Sequence, residues 1–282
     1  MSRIVYVNGV YLPEEEAKVS IFDRAFLFGD AVYEVTAVLG GRLVDFDAHL
    51  ARLDRSLKEI SLNLAVEHEG LRKIHQELIT LNRVDEGIVY LEITRGAADR
   101  DFVYPEKLVP TVVAFTQARP LLDSPYAEMG VKVVTIPDIR WKRRDIKSTA
   151  MLGQAMGKQA AKLKGAYEAW MVEDGFVTEG TSSSAFILDA DGVLRTQPLG
   201  PHILPGVTRR AILRLAKEEG LRVEERPFSV EEAYQAREAF LTAASAFVLA
   251  IVEIDGRPIG EGTPGPIARA FRLHYIAEAR KS

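Results

Sequence analysis

Two hydrophobic rhythms alternate along this chain. Leu50, Leu53, Leu57 and Ile60 recur at spacings of three and four, which lines one face of a helix and predicts an amphipathic helix over 47–60. A second helix is expected over 69–82. Shorter β-branched runs bounded by turn residues read as strands. Those at 4–7 and 10–12 flank Asn8-Gly9, a dipeptide suited to the positive φ angles of a tight hairpin. Another strand, 31–39, turns at Gly40-Gly41 into a return over 42–45, and two more are expected over 87–94 and 111–117. Residues 118–125, with their prolines and turn formers, read as a connection.

Beyond it, 131–136 is β-rich, 150–163 is helical, and 168–187 reads as strands joined at Asp174-Gly175, with a further turn at Asp191-Gly192. A helix from 206 to 219 ends at Gly220, placed to adopt the left-handed conformation that closes helices. Ser229 and Glu232 have the spacing of a capping box. Two strands over 238–254 surround a break at 243–245, and 265–280 closes as a helix. The pattern predicts a mixed α/β (α+β) fold: a smaller N-terminal domain over 1–118, a linker over 119–130 and a larger C-terminal domain over 131–282.

Composition narrows the function. A net charge of −4 gives no general attraction to nucleic acid or to an anionic membrane. With no cysteine there is neither a disulfide framework nor a thiolate metal site, which fits a reducing compartment and points to the cytoplasm. The first ten residues lack the regions of a signal peptide, and the uncharged stretch 239–252 is too short to span a bilayer. His49, His68, His75, His202 and His274 show no metal-ligand spacing, so no metal is expected. Gly153 to Lys158 has one residue too few for a P-loop and lacks its hydroxyl residue.

The chemistry lies in a pair. Lys147 sits between an isoleucine and the run Ser148-Thr149-Ala150-Met151-Leu152, at an expected strand end where desolvation would favour a nucleophilic amine. Alone it is one of 36 basic residues and would be read as surface charge. Glu179 precedes Gly180 and the hydroxyl run Thr181-Ser182-Ser183-Ser184. A lysine that can form a Schiff base and a carboxylate that can hold a pyridinium nitrogen are what pyridoxal phosphate chemistry needs from a protein. Leu204-Pro205-Gly206-Val207-Thr208-Arg209 opens a helix with glycine and a hydroxyl, a phosphate-binding arrangement that ordinary capping could equally explain. The basic run Lys142-Arg143-Arg144 is too short for a polyanion patch and reads as a solvated rim or as support for an anionic site.

In order along the chain, Ser20–Asp30, Val32-Tyr33-Glu34, His49–Leu53, Thr94-Arg95-Gly96, Asp145-Ile146-Lys147-Ser148, Glu179-Gly180 and Leu204–Thr208 resemble the class IV (fold type IV) pyridoxal phosphate aminotransferases, most closely the bacterial D-amino acid transaminase group. The resemblance implies a two-domain fold with pyridoxal 5'-phosphate as cofactor. Lys147 then resembles the Schiff-base lysine and proton carrier, and Glu179 the carboxylate facing the ring nitrogen. Arg52, Val207 and Thr208, with Gly206, resemble the phosphate cup, and Leu204 the apolar residue under the ring. Tyr33 and Arg100 match positions that help bind the substrate carboxylate.

Three positions depart from the family pattern, the first in the substrate pocket and the other two near the cofactor. Phe102 stands where histidine is common, which suggests a more apolar pocket; Ser184 replaces a frequent asparagine; and Ala244 replaces a phosphate-binding threonine, leaving Ser245 to supply that hydroxyl. The implied reaction moves an amino group from a D-amino acid such as D-alanine to a 2-oxo acid by a ping-pong mechanism. The implied assembly is a homodimer with the site near the interface. Branched-chain L-amino acid transaminase, (R)-amine transaminase and aminodeoxychorismate lyase are the alternatives within the family, and a non-catalytic cofactor-binding protein is the alternative outside it.

Overall fold

A computed structural model describes residues 2–63 and 67–281 of the chain. Its contacts divide it into two compact units. One runs to Pro120 and takes in Ile146–Ala150; the other comprises Leu121–Asp145 and Met151–Lys281.

The first unit begins with the hairpin β1 (Ile4–Val7) and β2 (Val10–Pro13), then α1 (Arg24–Phe28), β3 (Ala31–Leu39), β4 (Arg42–Leu43), α2 (Phe46–Glu59), α3 (His68–Asn82), β5 (Glu86–Thr94) and β6 (Val112–Ala118). Asn8 and Gly9 take φ of 47° and 97°, as the hairpin turn requires. The six strands form one antiparallel sheet in the order β2-β1-β6-β5-β3-β4. Side chains alternate between its faces. Val32, Val38, Val89, Leu91, Ile93 and Val112 pack with Leu50, Leu53 and Leu57 of α2 and Leu71, Ile74 and Leu78 of α3 in one core.

Helix α2 differs from the amphipathic helix expected of it. Besides the leucines it buries His49, Arg52 and Ser56. These recur at i, i+3 and i+7, so a polar stripe runs inward beside the apolar one.

The second unit comprises α4 (Pro125–Met129), β7 (Val131–Pro137), α5 (Leu152–Leu163), β8 (Glu168–Glu173), β9 (Phe176–Gly180), β10 (Ser184–Leu188), β11 (Leu194–Thr196), α6 (Val207–Glu218), β12 (Val223–Glu225), α7 (Val230–Tyr234), β13 (Glu238–Ala243), β14 (Phe247–Ile254), β15 (Arg257–Pro258) and α8 (Pro266–Ala279). Its nine strands form a mixed sheet ordered β12-β11-β10-β13-β14-β7-β8-β9, with β15 on β14. The β7–β8, β7–β14 and β11–β12 pairs are parallel. Every residue of β10 is buried, as expected of a central strand covered on both faces. Phe186 stacks on Phe240, which meets the α8 residue Phe271 edge to face within this unit. Trp170 and Phe228 meet in a separate core cluster.

Two expectations need correcting. The connection read over 118–125 runs into helix α4, started by Pro125 in its first turn. Helix α5 begins at Leu152 rather than at 150, because the preceding residues are held extended against β3 by bonds described below. Among the described residues no helix is long and apolar enough to cross a membrane.

Candidate active site

Lys147 lies on a short extended segment laid along the half of β3 that β4 leaves uncovered. Tyr33 N–H donates to the Lys147 carbonyl at 3.0 Å, Thr149 N–H donates to the Ala31 carbonyl at 3.1 Å, and Lys147 N–H donates to Ser56 Oγ at 3.3 Å. The backbone carrying the lysine is therefore fixed from both the sheet and α2. Its Nζ sits 4.1 Å from the centre of the Tyr33 ring, a cation–π distance.

On the helix side of the same strand, Glu34 is enclosed with the polar stripe of α2. Arg52 donates through Nε to Glu34 Oε1 at 2.9 Å and through Nη2 to Oε2 at 2.7 Å, a two-pronged pair that fixes the guanidinium plane. His49 Nδ1 lies 2.7 Å from Glu34 Oε2 and carries the hydrogen, because an ionised carboxylate only accepts. Burial pushes the Glu34 carboxyl upward, but Arg52 and His49 more than offset it and hold it at about 2. Burial also lowers the His49 value, with Arg52 and Lys147 adding to the effect and Glu34 opposing it, which favours the neutral imidazole.

In the second unit Glu179 is 5% exposed at the end of β9. Arg140 Nη1 donates to its Oε1 at 2.5 Å, and the Leu204 N–H reaches both oxygens at 3.2 and 3.1 Å. The same guanidinium forks onto Asp138, Nε to Oδ1 at 2.9 Å and Nη2 to Oδ2 at 2.7 Å, while Thr178 Oγ1 donates to Asp138 Oδ2 at 2.7 Å. Burial raises the Glu179 carboxyl above its ordinary value against the pull of Arg140 and Leu204. Burial would lower the Arg140 value, but its two carboxylates overcome that and raise it.

Pro205 and Gly206 lead into α6, with Gly206 as N-cap and Val207 and Thr208 in the first turn. A Cβ at Gly206 would lie 2.8 Å from Ser184 Oγ and 3.0 Å from Arg209 Cβ, so only glycine fits unless these side chains move. Thr208 is 2% exposed, and its Oγ1 is buried without a hydrogen-bond partner among the described residues. Thr242 Oγ1, on β13 directly across from Ser184, is in the same condition. Ser245 is half-buried in the turn between β13 and β14.

Sequence-selected residues thus fall into separate sets. Lys147, Tyr33 and Arg52 belong to the first unit; Glu179, Leu204, Gly206, Val207, Thr208 and Ser245 belong to the second. Arg100 and Phe102 are exposed on the loop after β5, with the Arg100 guanidinium 5.4 Å from the Phe28 ring and 5.3 Å from the Phe102 ring. Glu34, His49, Ser56, Arg140 and Thr242 carried no role in the reading of the sequence. The i, i+3, i+7 recurrence of His49, Arg52 and Ser56 was a usable signal. Arg140 had none, because it heads a basic run in which the Arg140 and Arg144 side chains prove buried and that of Lys142 exposed.

The chain matches the family described as amino-transferase class IV over residues 31–254. It is 39% identical to a D-alanine aminotransferase of Bacillus licheniformis, over 99% of both chains. A branched-chain aminotransferase of Thermoproteus uzoniensis, solved with norvaline, superposes with a TM-score of 0.87 at 28% identity, covering 99% of this chain and 95% of that one. The branched-chain aminotransferase of Escherichia coli superposes with a TM-score of 0.92 at 24% identity over 98% and 94%, a likeness of fold alone. With two thirds of its length and more matched by the family and its whole length by a relative, this chain belongs to the class IV aminotransferases.

Proposed function

We propose that this aminotransferase uses pyridoxal 5'-phosphate to move an amino group from a D-amino acid, such as D-alanine, to a 2-oxo acid in two alternating half-reactions. The observation carrying the substrate class is the end-to-end similarity to a D-alanine aminotransferase. The cofactor fits the residues present. A hydroxyl unpartnered among the described residues in the first turn of α6, a glycine cap where a Cβ would crowd the Ser184 and Arg209 side chains, and a helix N-terminus together suit a phosphate. Val207 and Thr208 would bind it through their N–H groups, Thr208 also through Oγ1, and Arg52 by charge. Ser245 and Thr242 offer further hydroxyls.

When bound, pyridoxal phosphate supplies a carbonyl that condenses with amines and a ring that accepts negative charge. Lys147 would provide the amine of attachment, and its Nζ would serve as the base that carries a proton between the substrate α-carbon and C4′. Its segment is tied to β3 and Ser56, so the amine acts from a fixed backbone. Glu179 holds a proton at the ring nitrogen, and Arg140 and the Leu204 N–H hold Glu179. Leu204 would offer an apolar side chain to the ring. Glu34 and His49 keep the Arg52 guanidinium aimed.

Tyr33, Arg100 and Phe102 bind the substrate, Arg100 through its carboxylate. We also propose a homodimer. Ala98 N–H donates to the Phe22 carbonyl, and Arg24 Nη1 donates to the Asp101 carbonyl at 2.6 Å, which joins the 20–28 and 98–109 segments. Together they expose Ile21, Phe26 (76%), Phe102 (74%), Val103 and Val109, an apolar surface of the kind that marks a protein interface. An active, monodisperse monomer in sedimentation equilibrium would contradict it. The absence of cysteine fits a cytoplasmic setting.

The experiment that tests the substrate is a donor panel of D-amino acids, L-amino acids and (R)-amines, read by loss of the yellow cofactor absorbance. D-amino acids should bleach it fastest. Fastest bleaching by branched-chain L-amino acids would instead support the reading that the apolar Phe102 and the Thermoproteus uzoniensis neighbour favour.

A further inference from the structure

A strained backbone turn lies beside the start of α6. Thr242, near the end of β13, is the direct cross-strand partner of Ser184, and Ser184 Oγ in turn lies close to Gly206, the N-cap of α6. The turn that follows, 243–246, carries Ser245 and closes with Ala246 N–H donating to the Ala243 carbonyl at 3.1 Å. Its exit is unusual. Phe247 opens β14 at φ 58°, in the left-handed region, although it is a fully buried aromatic residue. A bulky side chain at positive φ is strained and persists only where its surroundings force that conformation.

Arg272 supplies the force. This α8 residue is buried, and its Nη1 donates to the carbonyls on both sides of Phe247, to Ala246 at 2.9 Å and to Val248 at 3.1 Å. Its Nη2 donates to the Leu121 and Leu122 carbonyls at 2.7 and 3.2 Å, so the guanidinium is itself anchored to the chain leading into α4. A planar fork of donors can hold carbonyls of two segments at once, which a point-like ammonium does less well. One turn further along α8, Tyr275 packs against the Phe247 ring with centroids 5.4 Å apart. Helix α8 thus fixes the exit of the turn through its backbone and through its aromatic side chain together.

Resting on the cofactor reading above, in which Ser245 and Thr242 offer hydroxyls to the phosphate, we infer that Arg272 is a positioning residue for that phosphate. It holds the 243–246 turn in its binding conformation before the cofactor arrives. Without it the turn relaxes out of the left-handed exit, and apparent affinity falls in proportion to the fraction of molecules whose turn is still competent. Because Arg272 acts through the turn, the effect is confined to ligands that carry a phosphate.

The test compares pyridoxal 5'-phosphate with pyridoxal, which offers Lys147 the same aldehyde without the phosphate. Cofactor is removed from the full-length protein and each ligand is returned by titration, with Kd read from the yellow absorbance of the bound form. The wild type should bind the phosphorylated ligand far more tightly. In Arg272→Met the ratio of the two Kd values should fall about tenfold, as for a turn competent in about a tenth of the molecules, while pyridoxal binds as in the wild type. Arg272→Lys keeps the charge and loses the fork, so its ratio should fall by about threefold. Circular dichroism checks folding, and Arg272→Lys decides the matter if Arg272→Met does not fold. A ratio within about twofold of the wild type in the deciding variant would overturn the inference. Equal weakening of both ligands would overturn it too, because that marks general loosening. A wild type that binds the two ligands equally well would overturn the phosphate-site reading instead.

Discussion

Replacing Thr208 with valine should make the apoprotein more stable and the cofactor weaker. The shape is nearly conserved, and the first turn of α6 keeps its N–H groups. What changes is one hydroxyl, buried and without a partner among the described residues. Leaving such a group unsatisfied costs about 1–3 kcal/mol, so deleting it should return about 1 kcal/mol after the usual relaxation. For a domain of roughly 150–250 residues that raises the melting temperature by about 2–4 °C. If the hydroxyl donates to a phosphate oxygen, its loss removes a hydrogen bond to a charged group, about 1.5–3 kcal/mol, or roughly 10- to 100-fold in affinity. Calorimetry of the apoprotein and a fluorescence titration with pyridoxal phosphate read the two effects separately. An apo variant that is less stable and binds the cofactor unchanged would refute the reasoning.

Glu34→Gln leaves Arg52 buried without its carboxylate, so the apoprotein should lose about 3–5 kcal/mol at pH 7 in urea denaturation. Glu34 is held at about 2 against an ordinary 4.5; its stabilisation is complete above the ordinary value and disappears as pH falls through about 2. The gap between wild type and variant should therefore narrow from pH 5 to pH 2, and a constant gap would contradict this. Arg140→Met leaves Glu179 and Asp138 without their shared cation, and a loss of about 3 kcal/mol is expected in apoprotein denaturation. Arg140→Lys should recover only part of it, because an ammonium cannot reproduce the fork onto two carboxylates.

What was legible in the sequence was local. Asn8-Gly9, the capping box of Ser229 and Glu232, and Gly220 at φ 75° each act within a few residues, and each stands in the structure as read. Helices α1 and α4, five residues each, are too short to display a periodic stripe; α1 is held by Asp23, whose Oδ1 accepts from Ala25 N–H, and by Gly29 at φ 68°. Helix α5 starts late for a tertiary reason, the claim of β3 on the preceding residues.

The site divides in the same way. Lys147 and Glu179 announce themselves by residue type and company. Arg140 does not, because its partner Glu179 is 39 residues away and only the fold distinguishes it from Lys142, two residues further along and exposed. Glu34 and His49 meet across 15 residues, at a contact between strand and helix that periodicity cannot foresee. Ser245 was selected for its hydroxyl; on the same hairpin the fold also buries the Thr242 hydroxyl without a partner among the described residues, which no local signal marks.

The account turns on Lys147, and one measurement reaches it directly. The yellow holoenzyme is reduced with borohydride, digested and analysed by mass spectrometry, with Lys147→Ala treated in parallel. The cofactor mass should be fixed on the peptide containing Lys147 and be missing from the variant, which should also lose its turnover. Cofactor fixed on another lysine, or a Lys147→Ala protein that still transaminates, would contradict the account.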